Sequence, residues 1–330
     1  MRDLALLPKA HLHVHLESAV RPSTLADLTA AAGVEPPAAV SGVSALFDGF
    51  RGFADHNAVV RGCLRRPEDF TRIAVEFCED EAAQGTRYAE VTFTAASHGE
   101  RLGRPDMPLE AVLHGLELGR SRHGIECRVI IDHPRRRSVE RARQTLRLAV
   151  EHGPAVAAIG LAGEEGHPVA PFREVFDDAR AAGVHVVHHA GEMCGPASIR
   201  DAVDDGRAER LGHGIRVLDD ADLVAEVRDR GIALEVCPSS NVALGLVRSF
   251  AAHPLPLLRA AGLIVTVNTD IPSVTGTSLT AEYATVRDAF GYDDATLASL
   301  AAAAVDVSFA PLSTKARLHA GITAWLAAPD

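Results

Sequence analysis

The chain has 330 residues, 47% of them hydrophobic and 23% charged, which is enough apolar material for one large buried core or two ordinary ones. Its formal net charge of −11, with no basic run longer than Arg135-Arg136-Arg137, argues against a surface built for nucleic acid or anionic lipid and leaves a small molecule as the expected partner. No stretch approaches the roughly 18 apolar residues of a membrane span, and MRDLALLPKAH lacks the succession of a secretory signal, so the cytoplasm is the expected location.

In chain order the first apolar run is Ala10–Leu16, predicted as a strand. Residues 17 to 87 follow, far more than one crossover helix requires, and are predicted as a helical insertion over the active-site end of the fold. Within it Leu46, Phe47, Phe50 and Phe53 recur at helical spacing; this face either packs on the body of the protein or walls a binding pocket, where Phe47 and Phe50 are the candidate contacts. Further strands are predicted at Tyr88–Thr94, Cys127–Asp132, Val156–Ala162, Val184–Ala190, Arg210–Gly214, Ala233–Cys237 and Leu263–Asn268. Helical patterns lie between them at Phe70–Ala83, Ser138–Val150, Phe172–Ala182, Ala221–Asp229 and Pro256–Ala261, and two or three helices follow from about Thr280, the last beginning at Leu312. Eight strand-then-helix units in one domain of residues 1–330 predict a parallel (β/α)₈ barrel; a doubly wound sheet is the alternative, but no G-x-G-x-x-G follows the first strand.

Catalytic groups of such barrels stand at the carboxyl ends of the strands. There this chain carries His13 and His15, which period-two alternation sends to one face, then His188-His189 with Glu192 just beyond, His213, and Asp270. Any one of these histidines alone reads as a hydrogen-bonded structural residue. Four strands of eight ending in ligand-type groups make a metal centre the better reading. Imidazoles with a carboxylate suit Zn²⁺, while Fe²⁺, Mn²⁺ or Co²⁺ share the ligand preference. The cysteines Cys63, Cys78, Cys127, Cys194 and Cys237 form no CxxC pair and read as reduced core thiols. The fourth strand, AVAAIGLA, has no lysine to bridge a second ion, so the site is expected to be mononuclear.

The ordered set HLHVHLES, IGLAGEE, VHHAGE, RLGHGIR, EVCPSSN and VNTD resembles the adenosine deaminase family of the amidohydrolase superfamily over nearly the whole chain. The resemblance implies one zinc on His13, His15, His189 and Asp270, and a metal-activated water attacking an amidine carbon such as C6 of adenine. It implies Glu192 as the acid that protonates the neighbouring ring nitrogen, His213 as the residue that orients the water and stabilises the oxyanion, Asp270 as an acceptor of the water's proton, and the Gly163 N–H as a donor to the purine N3. Three positions depart from the family's pattern. Glu17-Ser18 stands where many members have Asp-Gly, whose acid contacts the ribose; Ile271 replaces a second acid that bonds the purine N7; and Thr92 occupies a place where arginine is expected. The chemistry is therefore expected to be intact and substrate recognition altered, with Glu17 and Ile271 marking the altered side. The expected activity is zinc-dependent deamination of adenosine or a related aminopurine nucleoside. A modified substrate such as aminodeoxyfutalosine or a non-purine heterocycle is the alternative, and a binding protein without turnover the more distant one.

Overall fold

The computed structural model describes residues 1–35 and 57–328. Among these, eight strands pair in parallel in the order of the sequence: Lys9–His15 (β1), Thr86–Phe93 (β2), Glu126–Pro134 (β3), Val156–Ala162 (β4), His185–Ala190 (β5), Arg210–His213 (β6), Ala233–Val236 (β7) and Val265–Val267 (β8). The wall closes between its last and first strands through residues beyond β8. Asp270 N–H donates to the His13 carbonyl (3.0 Å), His15 N–H donates to the Asp270 carbonyl (2.9 Å), and the Asn268 side chain accepts the N–H groups of Leu12 and His13. β8 is shorter than the predicted Leu263–Asn268; beyond its end Asn268 still bonds β7 through its backbone N–H, which donates to the Val236 carbonyl (2.9 Å), while its side-chain oxygen takes up β1. With helices between the strands, the architecture is the (β/α)₈ barrel.

The predicted helices appear as Pro67–Ala83, Val139–His152, Arg173–Ala181, Ala221–Asp229 and Leu255–Ala260, and the C-terminal ones as Leu279–Phe290, Asp294–Val307 and Leu312–Ala327. Between β1 and β2 lie Pro22–Ala32 and a helical stretch over 57–63, and then Pro67–Ala83, whose buried face (Phe70, Ile73, Ala74, Phe77) packs into the core as a crossover helix should. Phe47 and Phe50 lie outside the described residues. The β2–β3 connection holds two helices, Ala95–Leu102 and Met107–His123, that the sequence pattern did not single out. Gly115 and Gly119 weaken the helical signal of the second, yet close packing requires them. A Cβ at 115 would fall 2.5 Å from the Thr71 carbonyl, and one at 119 would fall 2.3 Å from Cys78 Cβ.

The barrel interior is not filled by aliphatic layers alone. Arg210 is buried between Glu90, which it contacts through Nη2, and Glu235 (2.6 Å), and its guanidinium stacks 4.0 Å over the Phe309 ring. Phe309 also stacks on His185 at the start of β5, so the chain after Asp294–Val307 plugs the amino-terminal end of the barrel. The opposite, carboxyl end is left open for a site. Among the described residues no helix is long and apolar enough to cross a membrane.

Candidate active site

The carboxyl ends of seven of the strands converge on one cavity. Its walls include His15 at the end of β1, Thr94 after β2, Asp132 of β3, Gly163 after β4, His189 of β5, His213 of β6 and Asp270 beyond β8, with Glu17, Asn57 and Arg61 from the β1–β2 connection. At its floor the expected metal ligands come together: His13, His15, His189 and Asp270 each offer an atom, and these lie within 4.8 Å of one another. His15 Nε2 stands 3.1 Å from His189 Nε2, and Asp270 Oδ1 is 3.5 Å from His13 Nε2 and 3.3 Å from His15 Nε2. Tetrahedral bonds of about 2.1 Å hold ligand atoms roughly 3.4 Å apart. The donor set therefore fits one cation. His13 Nε2 is buried without a hydrogen-bond partner, as a nitrogen reserved for a metal would be.

His13, Asp270 and the backbone of His189 are held from behind. His13 Nδ1–H donates to Glu235 Oε2 (2.9 Å), which fixes the tautomer that leaves Nε2 bare; Glu235 in turn is held by Arg210. Although burial works against it, the carboxylates of Asp270 and Glu235 push His13 up to about 10, so a cation at this centre displaces a proton that the imidazole would otherwise carry. Burial would raise Asp270, yet the close His13 imidazole and the rings of His213 and His15 hold it well below the usual carboxylate range. Ser240 Oγ–H donates to Asp270 Oδ2 at 2.5 Å, and Arg135 Nη2 donates to the His189 carbonyl. His213 (φ 65°) and Asp270 (φ 62°) both occupy the left-handed region, sparsely populated by residues other than glycine and common where a site imposes the geometry.

Glu192 is buried, with Oε1 3.6 Å from His213 Nε2, and burial together with the charges of Asp270 and Glu165 raises it well above an ordinary carboxyl. That direction favours the protonated carboxyl, the form a general acid requires. Glu165 anchors the loop that presents it, accepting the N–H groups of Gly191, Glu192 and Met193 and the Ser198 hydroxyl at 2.7–2.9 Å. Burial, and then the charge of His13, pushes His213 down to about 3, so the ring is neutral.

Of the expected substrate contacts, Glu17 and Gly163 line the cavity. Glu17 Oε1 already accepts Thr94 N–H (3.2 Å) and His98 Nε2–H (3.1 Å). Gly163 (φ 86°) has open space where a Cβ would stand, so its backbone faces the cavity directly. Ile271 does not reach the wall: it packs in a buried apolar cluster with Leu244, Val274 and Leu246, and Leu244 is the member that meets the cavity. His188 turns away from the site as a structural residue, its Nδ1 accepting Leu161 N–H and its Nε2 donating to the Gly206 carbonyl. Sequence reasoning passed over Asp132, Glu165, Glu235, Ser240 and Asn241. Glu165 and Glu235 lie inside the quoted motifs IGLAGEE and EVCPSSN, and Asp132 closes a predicted strand, so strand-end position was the available signal.

The family model for adenosine deaminase matches residues 8–325. The chain belongs to the adenosine deaminase family. It is a hydrolase acting on an amidine C–N bond, the class of the adenine deaminases among its relatives. It is 35% identical to the adenine deaminase of Rhizobium leguminosarum bv. trifolii, over 95% of this chain and 98% of the relative. The crystal structure of an adenine deaminase from Arthrobacter aurescens superposes with a TM-score of 0.89 at 30% identity, covering 97% of this chain and 99% of that one. An amidohydrolase from Burkholderia ambifaria, solved with bound Zn, superposes with a TM-score of 0.86 at 26% identity, covering 97% and 91%.

Proposed function

We propose that this chain removes the exocyclic amino group of an adenine-type ring as ammonia, with one zinc ion held by His13, His15, His189 and Asp270. The observation that carries this reading is Glu192: a buried carboxyl 3.6 Å from His213, presented by a loop anchored on Glu165, beside a ligand set with one orphaned imidazole nitrogen. A bound zinc supplies Lewis acidity and lowers the pKa of water. Glu192 gives its proton to the ring nitrogen next to the amine-bearing carbon, which makes that carbon a better electrophile. Asp270, ionised and acceptor-only, takes a proton from the attacking water, and His213 faces the same point with a nitrogen that has no partner among the described residues. The Gly163 N–H reaches the base where a side chain would obstruct it.

The relatives support adenine ahead of adenosine as the substrate, since those at 35–36% identity over nearly the full chain include several adenine deaminases. Ile271 supports a departure in base recognition: with an isoleucine buried behind Leu244, no second acid follows Asp270 to pair with a purine N7. A modified aminopurine is therefore the second reading. Release of the exocyclic amine decides between them, as ammonia from adenine, adenosine, AMP, aminodeoxyfutalosine and a panel of aminated pterins and as methylamine from N6-methyl-AMP. Turnover of adenine supports the first, turnover confined to a substituted purine supports the second, and amine release from none of the panel overturns both.

A further inference from the structure

The motif EVCPSSN delivers two consecutive polar side chains into the site from the short helix Pro238–Ala243. Ser240 holds Asp270, as described above. Asn241 holds His213: its Nδ2 lies 3.2 Å from His213 Nδ1, and its Oδ1 lies 3.2 Å from Nε2 of His253. The far end of this row is a backbone amide. Leu255 N–H points at His253 Nδ1 from 3.1 Å, and a backbone N–H is a donor in any circumstance. All three side chains are buried, at 0–3% exposure, so no water is available to reverse any of these bonds.

The polarity of the whole row follows from that one fixed donor. His253 Nδ1 must accept, so the hydrogen of its neutral ring is on Nε2 and is donated to Asn241 Oδ1. The amide cannot be flipped, because its NH₂ would then face the N–H of His253. Asn241 Nδ2 therefore donates to His213 Nδ1, and the hydrogen of His213 sits on Nε2. That nitrogen is the one without a partner, and it faces Glu192 Oε1 at 3.6 Å.

We propose that Asn241 and His253 are positioning residues that hold His213 in the Nε2–H tautomer, so that it meets the incoming oxygen only as a hydrogen-bond donor and leaves proton acceptance to Asp270. Their role in catalysis rests on the deaminase reading; the tautomer itself does not. His213 is a catalytic residue acting through Nε2–H, while Asn241 and His253 act through it from one and two hydrogen bonds away. With the hydrogen of the neutral ring on Nε2, donation to the oxygen falls to His213 and acceptance of its proton to Asp270.

The test is nitrogen-15 NMR of the histidine rings in zinc-loaded protein, with the His213 signals identified by their loss in His213→Gln. Nδ1 is expected to be pyridine-like and Nε2 pyrrole-like. Asn241→Asp keeps the shape but can only accept, so Nδ1 should become pyrrole-like, and kcat for the best substrate of the panel should fall on the order of 10–100-fold, with KM and bound zinc nearly unchanged. Should Asn241→Asp fail to fold, His253 asks the same question one residue further out. His253→Leu should blur the two nitrogen signals and lower kcat, and His253→Gln, whose amide N–H can replace Nε2–H, should restore both. A wild-type Nδ1 that is already pyrrole-like, or a loss of kcat in these variants without any change at the His213 nitrogens, overturns the proposal. If no aminopurine is turned over, the deaminase reading fails, while the nitrogen signals still decide the tautomer.

Discussion

Glu192 has almost no contact with water and two negatively charged neighbours, Asp270 and Glu165, so burial and charge rather than any single hydrogen bond raise its proton affinity. Glu192→Gln preserves the size and the backbone anchor but removes the transferable proton. Turnover should drop by about 10²–10⁴-fold, followed as ammonia release, with metal content per chain unchanged. Undiminished turnover would refute the assignment. Gly212 poses a different test. A Cβ there would fall 2.6 Å from His13 Cε1 and 3.3 Å from the His189 Cα, so two candidate metal ligands depend on this position having no side chain. Gly212→Ala should weaken metal binding by about 10–100-fold in a chelator competition while circular dichroism stays that of the folded barrel. The candidate ligands that the structure brings together were legible in the sequence, because strand-end position and side-chain type suffice to mark them. The residues behind them were not: Glu235 meets His13 across 222 positions of sequence, and only closure of the barrel brings the two together.

At the scale of elements, the short helix Pro238–Ala243 carries two groups that hold the site, yet six residues are too few to be stable alone. Its first turn is secured from outside. Glu282, on helix Leu279–Phe290, accepts the Ser239 N–H at 2.7 Å, taking up one of the donors that a helix start leaves unpaired. Glu282 is fully buried, and burial pushes its carboxyl up from the ordinary 4.5 to about 7 despite the hydrogen bonds it accepts. A folded-state pKa above the unfolded one means that the folded protein binds the proton more tightly. The stabilisation is complete below about pH 4.5 and is lost as pH rises through about 7. Across that window it amounts to about 3 kcal/mol, on the scale of 1.36 kcal/mol per pKa unit. Glu282→Gln should abolish this dependence, so urea unfolding should give a wild type that loses stability relative to the variant between pH 4 and pH 8. A constant difference between the two would show that Glu282 stays ionised. Elements differ in legibility for a related reason. The eight strands were readable as apolar runs, whereas Met107–His123 was obscured by the glycines that its close packing on Pro67–Ala83 demands.

For the whole molecule, the alternation of strand and helix carried the barrel, because each unit buries its strand only by closing with its neighbours. What could not be read was how the ring is sealed, which depends on Asn268 and Asp270 bonding to β1 rather than on a regular ladder. The same seam holds the candidate metal centre: His13 and His15 come from β1, Asp270 from beyond β8, and His189 from the opposite wall. A cation bound there ties the two ends of the barrel sheet to its middle, and it binds the folded chain alone because no such cluster exists in the unfolded one. Chelation should therefore lower thermal stability. At free metal about 100-fold above Kd the loss is about 2.7 kcal/mol, reversible on adding zinc back. Because binding displaces the proton that Asp270 and Glu235 stabilise on His13, apparent affinity should rise with pH, by up to about tenfold per unit below the His13 pKa of about 10. Melting curves with and without chelator, repeated at several pH values, measure both effects. A melting temperature indifferent to chelation would mean that the seam is held by Asn268 and the Asp270 backbone without help from a metal.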